Sequence, residues 1–313
     1  MTIMTESQRS AGTRPQVSIR ARKDRVSKYL FIAPAIVVVL ALLVYPVGSS
    51  VFLAFTDKHL LRQTFEFVGF DNFAFVLSSP DFWSAFSTSI GWTIGSIIGQ
   101  LVIGFLAALA LERIPRMTGL FRVLLIIPWA FPPIVIGFAW KWILNDVYGF
   151  FPNLLTTLGL SDENISLLGT SHTAFWVVLV INIWFGTPLF MVNILAALKT
   201  VPRDQQEAAR MDGAGSVKRF RFITIPHVKK VVGLLLVLRT IWVFNNFELV
   251  FLLTGGGPAG STTTLPIYAY RTGWGLYQLG LASTITVLLL AFLLLVGTFA
   301  FKLINRWESE DAR

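Results

Sequence analysis

The sequence of 313 residues contains no cysteine and has few charged residues. The absence of cysteine excludes a disulfide framework and thiol chemistry. Three histidines, His59, His172 and His227, are scattered and do not form a metal-ligand spacing. No Gly-Lys-Ser/Thr sequence is present, so the phosphate-binding loop of an ATPase is missing. We therefore expect no cofactor, no metal and no ATP hydrolysis by this chain alone.

Charge is scarce and apolar residues are abundant. Only 14% of residues are charged, 54% are hydrophobic and the mean hydropathy is +0.67, whereas soluble domains have about 25% charged residues. This composition indicates a polytopic membrane protein in contact with lipid. The net charge of +9 could suggest nucleic-acid binding, but the basic residues cluster in polar segments between apolar ones. We interpret them as determinants of membrane orientation and expect no nucleic-acid partner.

Six apolar segments are long enough to cross a bilayer, which requires about 20 residues. They are residues 29–55, 83–111, 119–144, 173–198, 231–253 and 279–304. The sequence therefore predicts an all-α integral membrane protein with six transmembrane helices in a domain covering residues 29–305. Residues 1–28 are predicted to form a disordered basic tail, and residues 306–313 a short C-terminal tail.

The distribution of lysine and arginine predicts the orientation of the helices. Seven basic residues precede the first span and eight lie in the segment 199–230, whereas segment 145–172 has none. Because cytoplasmic segments carry the excess of Lys and Arg, we expect both termini and residues 199–230 to be cytoplasmic, in a cell or inner membrane.

Two spans contain residues that disturb helices, and a glycine run follows the fifth. The third span contains Pro128, Pro132 and Pro133, and the fourth contains Gly186 and Pro188. Proline removes a backbone hydrogen bond, so we expect kinks, which suit a solute pathway. The run Gly255-Gly256-Gly257 lacks the strand and helix of a phosphate loop and is predicted to be a flexible outer loop.

The polar segment between the fourth and fifth spans predicts a docking feature. A short helix is expected over Arg203–Met211, and Gly213 and Gly215 would then allow a sharp turn. A second short helix is expected from Ser216 to Ile225, with Pro226 as its stop.

The same segment resembles the EAA loop of ABC importer permeases. The resemblance rests on Glu207-Ala208-Ala209, Asp212-Gly213-Ala214, Phe220 and Ile223-Thr224-Ile225-Pro226. It implies that residues 203–226 form a coupling helix seated in a cleft of an ATPase subunit. The implied ATPase-coupling residues are Glu207, Ala208, Ala209, Asp212, Gly213 and Pro226.

Three further stretches resemble carbohydrate-type permeases of this family, in particular the MalF-like half of a two-permease importer. They are Leu30-Phe31-Ile32-Ala33-Pro34, the segment 67–73 and Leu252-Leu253-Thr254-Gly255-Gly256-Gly257-Pro258. The resemblance implies a second related permease, two ATPase subunits and an external solute-binding protein as partners. It implies a sugar as solute, with glycerol phosphate or a polyol as alternatives.

Polar residues inside the spans are candidates for the solute pathway. The fifth span contains Arg239, Trp242, Asn245, Asn246 and Glu248. A regular helix would place Arg239, Trp242 and Asn246 on one face. Amides and a carboxylate beside an aromatic ring suit sugar hydroxyls, but interhelical hydrogen bonding would explain the same residues.

Asn182 in the fourth span is a further pathway candidate. Two other classes of protein are alternatives. An ion-coupled secondary transporter would often show paired repeats, and none is evident. A membrane-embedded enzyme would need clustered ionisable residues within the spans, where only Glu248 among the acids lies deep.

Overall fold

The computed structural model describes residues 31–114, 118–160 and 165–311, and within them the chain is helical. In these ranges, β-structure is limited to isolated bridges between Thr56 and Phe67 and between His59 and Gln278. The chain divides into two compact units, residues 1–50 and 51–313. The predicted basic tail 1–28 lies outside the described residues, as do Arg116 and the last two residues. The all-α prediction is confirmed.

Twelve helices are defined in the described ranges. The first, α1, runs over Phe31–Leu53 and contains a π-helical turn at Leu40–Val44. The others are α2 (Asp71–Ser78), α3 (Pro80–Glu112), α4 (Thr118–Ala130), α5 (Pro133–Ile143), α6 (Phe150–Thr157), α7 (Ser171–Leu198), α8 (Arg203–Met211), α9 (Ser216–Phe244), α10 (Glu248–Thr254), α11 (Leu265–Tyr270) and α12 (Leu279–Asp311). Helix α12 therefore continues through most of the predicted C-terminal tail.

Four of these helices, α1, α3, α7 and α12, are each long and apolar enough to cross a membrane. Two further spans are divided into bent pairs, α4 with α5 and α9 with α10, whose axes differ by 90° and 42°. Six spans result when each bent pair counts as one. The six predicted segments thus correspond to four continuous helices and two broken ones.

The third span is broken rather than kinked. Pro132 has an extended backbone (ψ 143°), and Pro133 lies in the first turn of α5. A residue before proline is driven out of the helical conformation, so two successive prolines interrupt the helix. Pro128, by contrast, stays inside α4. With 13 and 11 residues, α4 and α5 are each too short to cross a bilayer alone.

Helices α3 and α7 pack closely along their length. A Cβ atom at Gly104 would lie 2.7 Å from Cβ of Phe190 and 3.0 Å from the Met191 nitrogen, so only glycine allows this approach. Ala108 and Ile194 are fully buried in the same contact. Tight packing of small residues against a neighbouring backbone is a main source of helix association in lipid.

The end of α9 is held by two separate hydrophobic clusters. Val243 packs with residues of α3, α5, α7 and α10, whereas its neighbour Phe244 packs with α2, α3, α11 and α12. The backbone oxygen of Val243 also accepts a hydrogen bond of 3.2 Å from the Trp92 indole of α3. The position of α9 directly before its break is therefore firmly defined.

The loop after α10 is more ordered than the sequence predicts. Gly255 and Gly256 adopt positive φ angles of 61° and 91°, as expected for a glycine turn. Threonine hydroxyls then close the loop: Thr262 donates to the Gly257 oxygen at 2.8 Å and Thr263 to the Gly256 oxygen at 2.7 Å. The prediction of a flexible loop considered the glycines but not the threonines that tie them down.

Candidate functional site

The predicted docking helix exists as α8 and lies at the protein surface. Glu207, Ala208 and Asp212 are exposed, and Ala209 is half-buried. The Gln206 amide donates to the Thr224 hydroxyl at 3.1 Å, which ties α8 to the start of α9. We call residues 203–219 the α8 surface.

Gly213 ends α8 in a left-handed conformation, with φ of 74°. The Gly213 amide donates to the Arg210 oxygen at 3.1 Å, and the Ala214 amide donates to the Ala209 oxygen at 2.8 Å. This pair of bonds is a Schellman motif, in which glycine is favoured because it has no Cβ. Gly215 has an ordinary φ of −64°, so the prediction that both glycines shape the turn is correct for Gly213 only.

Pro226 does not stop the second helix, which corrects the sequence prediction. Helix α9 runs without interruption from Ser216 to Phe244, and Pro226 lies exposed within it. A π-helical turn at Phe220–Thr224 immediately precedes it. Because proline crowds the preceding turn and lacks a donor, a wider π turn at this point allows the helix to continue.

Two apolar side chains on the α8 surface were missed by the sequence analysis. Met211 is 88% exposed and Val217 is 78% exposed. They could have been found in the sequence, because each is an apolar residue within an otherwise polar segment. Single exposed apolar residues are common on protein surfaces, so these two side chains only add candidate contacts to the α8 surface.

A buried polar network connects three helices in the membrane region. The Asn182 amide of α7 donates to the Ser96 hydroxyl at 2.7 Å, and its backbone oxygen accepts from the Gln100 amide at 2.9 Å. Gln100 Oε1 in turn accepts from Nε of Arg239 in α9 at 2.8 Å. Ser96, Gln100 and Asn182 are fully buried. The sequence analysis named Asn182 and Arg239 but missed Ser96 and Gln100, which stand out as polar residues in an apolar run of α3.

Gly186 makes room for this network. A Cβ atom at Gly186 would overlap Nη2 of Arg239 and the Gln100 side chain. Helix α7 itself continues through Gly186 and Pro188. Gly186 therefore has a packing role beside Arg239 that the expected kink did not predict.

The predicted pathway residues of the fifth span lie around its break. Trp242 is 59% exposed, and its ring centroid lies 5.7 Å from the Arg239 guanidinium carbon. Since α9 ends at Phe244, Asn246 lies beyond the regular helix, and the prediction that it shares one helical face with Arg239 and Trp242 is wrong. The prediction extended the helical spacing of Arg239 and Trp242 to Asn246. Sequence periodicity does not reveal that the helix breaks between Trp242 and Asn246.

The other polar residues at the break differ in their surroundings. The Asn245 amide donates to the Ile241 oxygen at 3.0 Å, whereas Oδ1 of Asn246 is buried without a hydrogen-bond partner. Oδ1 of Asn182 is likewise buried and unpaired. Glu248 is exposed and begins α10. Two unused acceptor oxygens and an exposed indole are suited to binding a hydroxylated solute.

Apolar helices, broken spans with polar groups at the break and an exposed docking loop define a polytopic membrane permease. Residues 100–309 match the family described as "Binding-protein-dependent transport system inner membrane component". The chain belongs to this family. It is therefore a permease component of an ABC importer, and the ion-coupled transporter and membrane-enzyme alternatives lose their support.

Similar proteins extend the match over nearly the whole chain. The trehalose/maltose transport system permease protein MalF of Thermococcus litoralis is 33% identical over 282 residues, covering 90% of this chain and 94% of the relative. The diacetylchitobiose uptake system permease protein DasB of Streptomyces coelicolor is 31% identical over 307 residues, covering 96% and 93%. The fold is also similar to that of a chain in a solved bacterial ABC transporter for alginate, with a TM-score of 0.80, 22% identity and coverage of 92% and 99%.

Proposed function

We propose that this chain is one of two related permease subunits that import a sugar or a similar polyhydroxylated solute. An external binding protein delivers the solute, and two separate ATPase subunits hydrolyse ATP. The family is defined by its dependence on a binding protein. Two relatives that align over at least 90% of this chain are named for disaccharide uptake, which supports a carbohydrate.

The orientation follows from the basic residues. Eight Lys and Arg residues in the segment 199–230 favour a cytoplasmic location for the α8 surface, together with both termini. In this orientation the α8 surface faces the compartment that contains ATP. The loop after α10 then lies on the external side, where a binding protein would dock.

One observation carries the coupling mechanism: the α8 surface is continuous with the helix that leads to the polar break. Helix α9 begins in the docking surface at Ser216 and ends at Phe244, a length of about 40 Å at 1.5 Å per residue. Movement of the ATPase subunits against Glu207, Ala208, Ala209, Asp212 and Gly213 would be transmitted along α9. Pro226, within α9, contributes to coupling as part of this connection and not as a stop.

The solute pathway is proposed to run past the break between α9 and α10. Its contacts are the Trp242 indole, the amides of Asn182, Asn245 and Asn246, and the Glu248 carboxylate. Asn182 and Asn246 each retain an unpaired oxygen, which can accept a hydroxyl proton from a sugar. Most buried polar atoms in proteins have a hydrogen-bond partner, so an unpaired one calls for an explanation.

Recovery of an ATPase subunit with this chain tests the proposal. Affinity purification from the native membrane should yield an ATPase subunit whose hydrolysis rises when loaded binding protein is added. Ala208→Trp places a large side chain on the exposed α8 surface and should abolish this recovery by steric exclusion. Ala291→Trp is the matched control, because Ala291 is exposed on α12 and is not part of the α8 surface.

The two variants distinguish an effect on ATPase docking from an effect on membrane insertion. Both should reach the membrane in normal amounts, since neither removes an apolar span. Normal ATPase recovery and uptake in the Ala208→Trp variant would contradict the assignment of α8 as the docking helix.

A further inference from the structure

Arg239 is a buried cation without an acidic partner among the described residues. Its side chain is only 5% exposed, and it lies within the membrane-spanning part of α9. Among the described residues, no carboxylate forms an ion pair with it, and its one hydrogen bond joins Nε to the neutral Gln100 side chain. Ionisable groups inside a membrane usually pair with a partner or serve a pathway.

The surroundings of Arg239 hold the guanidinium in place while leaving its outer nitrogens available. Gln100 accepts from Nε and is itself fixed by its 2.9 Å bond to the Asn182 backbone oxygen. The Nη1 and Nη2 groups donate to nothing within the described residues. Nη2 packs directly against Gly186, because a Cβ atom at that position would overlap it. An arginine held by Nε presents its two outer nitrogens as a fork that matches the two oxygens of an anionic group.

Trp242 connects this cation to the proposed pathway. Its ring lies 5.7 Å from the guanidinium carbon, and more than half of its surface is exposed. A solute that stacks on the exposed indole would therefore carry a substituent within reach of Arg239. Asn182, on the other side of Gln100, has an unpaired Oδ1, but this atom is enclosed by the helices and does not face the exposed indole.

We propose that Arg239 binds an anionic group of the transported solute, so that the solute is a sugar or polyol bearing a carboxylate, sulfonate or phosphate. This inference rests on the proposed function and adds the charge of the solute to it. A buried positive charge strongly favours an anion over a neutral group, and an anion neutralises the charge that the bundle leaves uncompensated.

The unmodified importer gives the first test. Cells with and without this chain are grown in a medium containing neutral, carboxylated, sulfonated and phosphorylated saccharides, and depletion is measured by mass spectrometry. Depletion of an acidic saccharide by the wild-type cells alone supports the proposal. Depletion of neutral saccharides only would overturn it while leaving the proposed function intact. Depletion of no saccharide would overturn the proposed function as well.

Substitutions then assign the effect to Arg239. With the depleted acidic saccharide as the labelled probe, Arg239→Gln should reduce uptake by the reconstituted complex at least about tenfold, because a buried charge partner is removed. Arg239→Lys should retain part of the uptake, since the charge remains without the fork. Lys302→Gln is the matched control, because Lys302 is exposed on α12. Unchanged uptake in the Arg239→Gln complex would show that Arg239 only holds the helices together.

A second variant keeps the test decisive if Arg239→Gln does not assemble. Gln100→Glu replaces an amide by a carboxylate of the same size, 2.8 Å from Nε of Arg239. The internal carboxylate would compete with the solute anion, so the assembled variant should lose acidic-saccharide uptake at least about tenfold. Full uptake by the assembled Gln100→Glu complex would overturn the proposal.

Discussion

The side chain of Asn246 forms no hydrogen bond among the described residues, and its Oδ1 is buried. Its backbone amide donates to the Val243 oxygen at 3.1 Å. Asn193 of α7 has the same side chain, but its amide donates to the Leu189 oxygen at 2.8 Å. An unpaired buried amide has a cost to folding, which a bound solute would offset. The contrast makes Asn246 the better candidate for contact with a solute and Asn193 a suitable control.

Asn246→Ala is expected to reduce solute uptake about tenfold while leaving the amount of assembled complex and its basal ATPase unchanged. The physical reason is the loss of one buried hydrogen bond to the solute, worth ~1–3 kcal/mol. Uptake of labelled solute by reconstituted complexes provides the measurement. Asn193→Ala is the control and should transport normally. Equal uptake by the wild-type and Asn246→Ala complexes would remove Asn246 from the pathway.

At the scale of elements, the turn between α8 and α9 depends on one glycine. Gly213 has a φ of 74°, and a Cβ there would meet nothing within 4 Å. Its constraint is therefore conformational and not steric crowding by neighbours. Gly215 also has open space around it, but its φ is −64°, which any residue adopts.

Gly213→Val is expected to displace α9 relative to α8 and to uncouple transport from ATP hydrolysis. A side chain in the left-handed region costs roughly 1–2 kcal/mol, and the β-branched valine is poorly tolerated there. Gly215→Val is the matched control and should transport normally. Uptake and binding-protein-stimulated ATPase activity, measured on both purified complexes, distinguish the two glycines. Similar activities in the two variants would contradict a role for the Gly213 conformation.

The sequence predicted helices correctly where a long apolar run determines the structure. Its predictions failed where prolines, a π turn or long-range polar contacts determine the structure. Segment 173–198 became a single helix because an apolar run of this length has one stable form in lipid. The Pro132-Pro133 pair broke the third span by a right angle, which composition does not quantify. Pro226 was predicted to stop a helix. The helix continues instead, because a π turn accommodates the proline. The polar network was predicted only in part, since Gln100 reaches Arg239 across 139 positions of sequence.

At the scale of the whole molecule, the alternation of charge defines two faces of the membrane protein. The absence of native cysteine allows each face to be probed by a single introduced thiol. Leu160, after α6, is 70% exposed and lies in the segment without basic residues. Val217 lies on the α8 surface, which carries the basic excess.

Leu160→Cys should react with a membrane-impermeant maleimide in intact spheroplasts. Val217→Cys should react only after the spheroplasts are permeabilised. The reason is that Lys and Arg are retained on the cytoplasmic side. The cysteine-free parent is the control for background labelling. Reaction of Val217→Cys in intact spheroplasts would contradict the predicted orientation, because the α8 surface would then lie on the side of the membrane opposite to ATP.

The two clusters that hold Val243 and Phe244 fix the end of α9, which would act as a pivot if the opposite end moved. The opposite end begins in the exposed α8 surface, about 40 Å away. A push of about 3 Å at that end corresponds to a tilt of about 4° around the pivot, if the helix behaves as a rigid rod of this length. Trp242 lies directly beside the pivot, so its displacement is small. If the far end of α9 moves with an ATPase subunit as proposed, the indole would keep its geometry toward the proposed solute pathway.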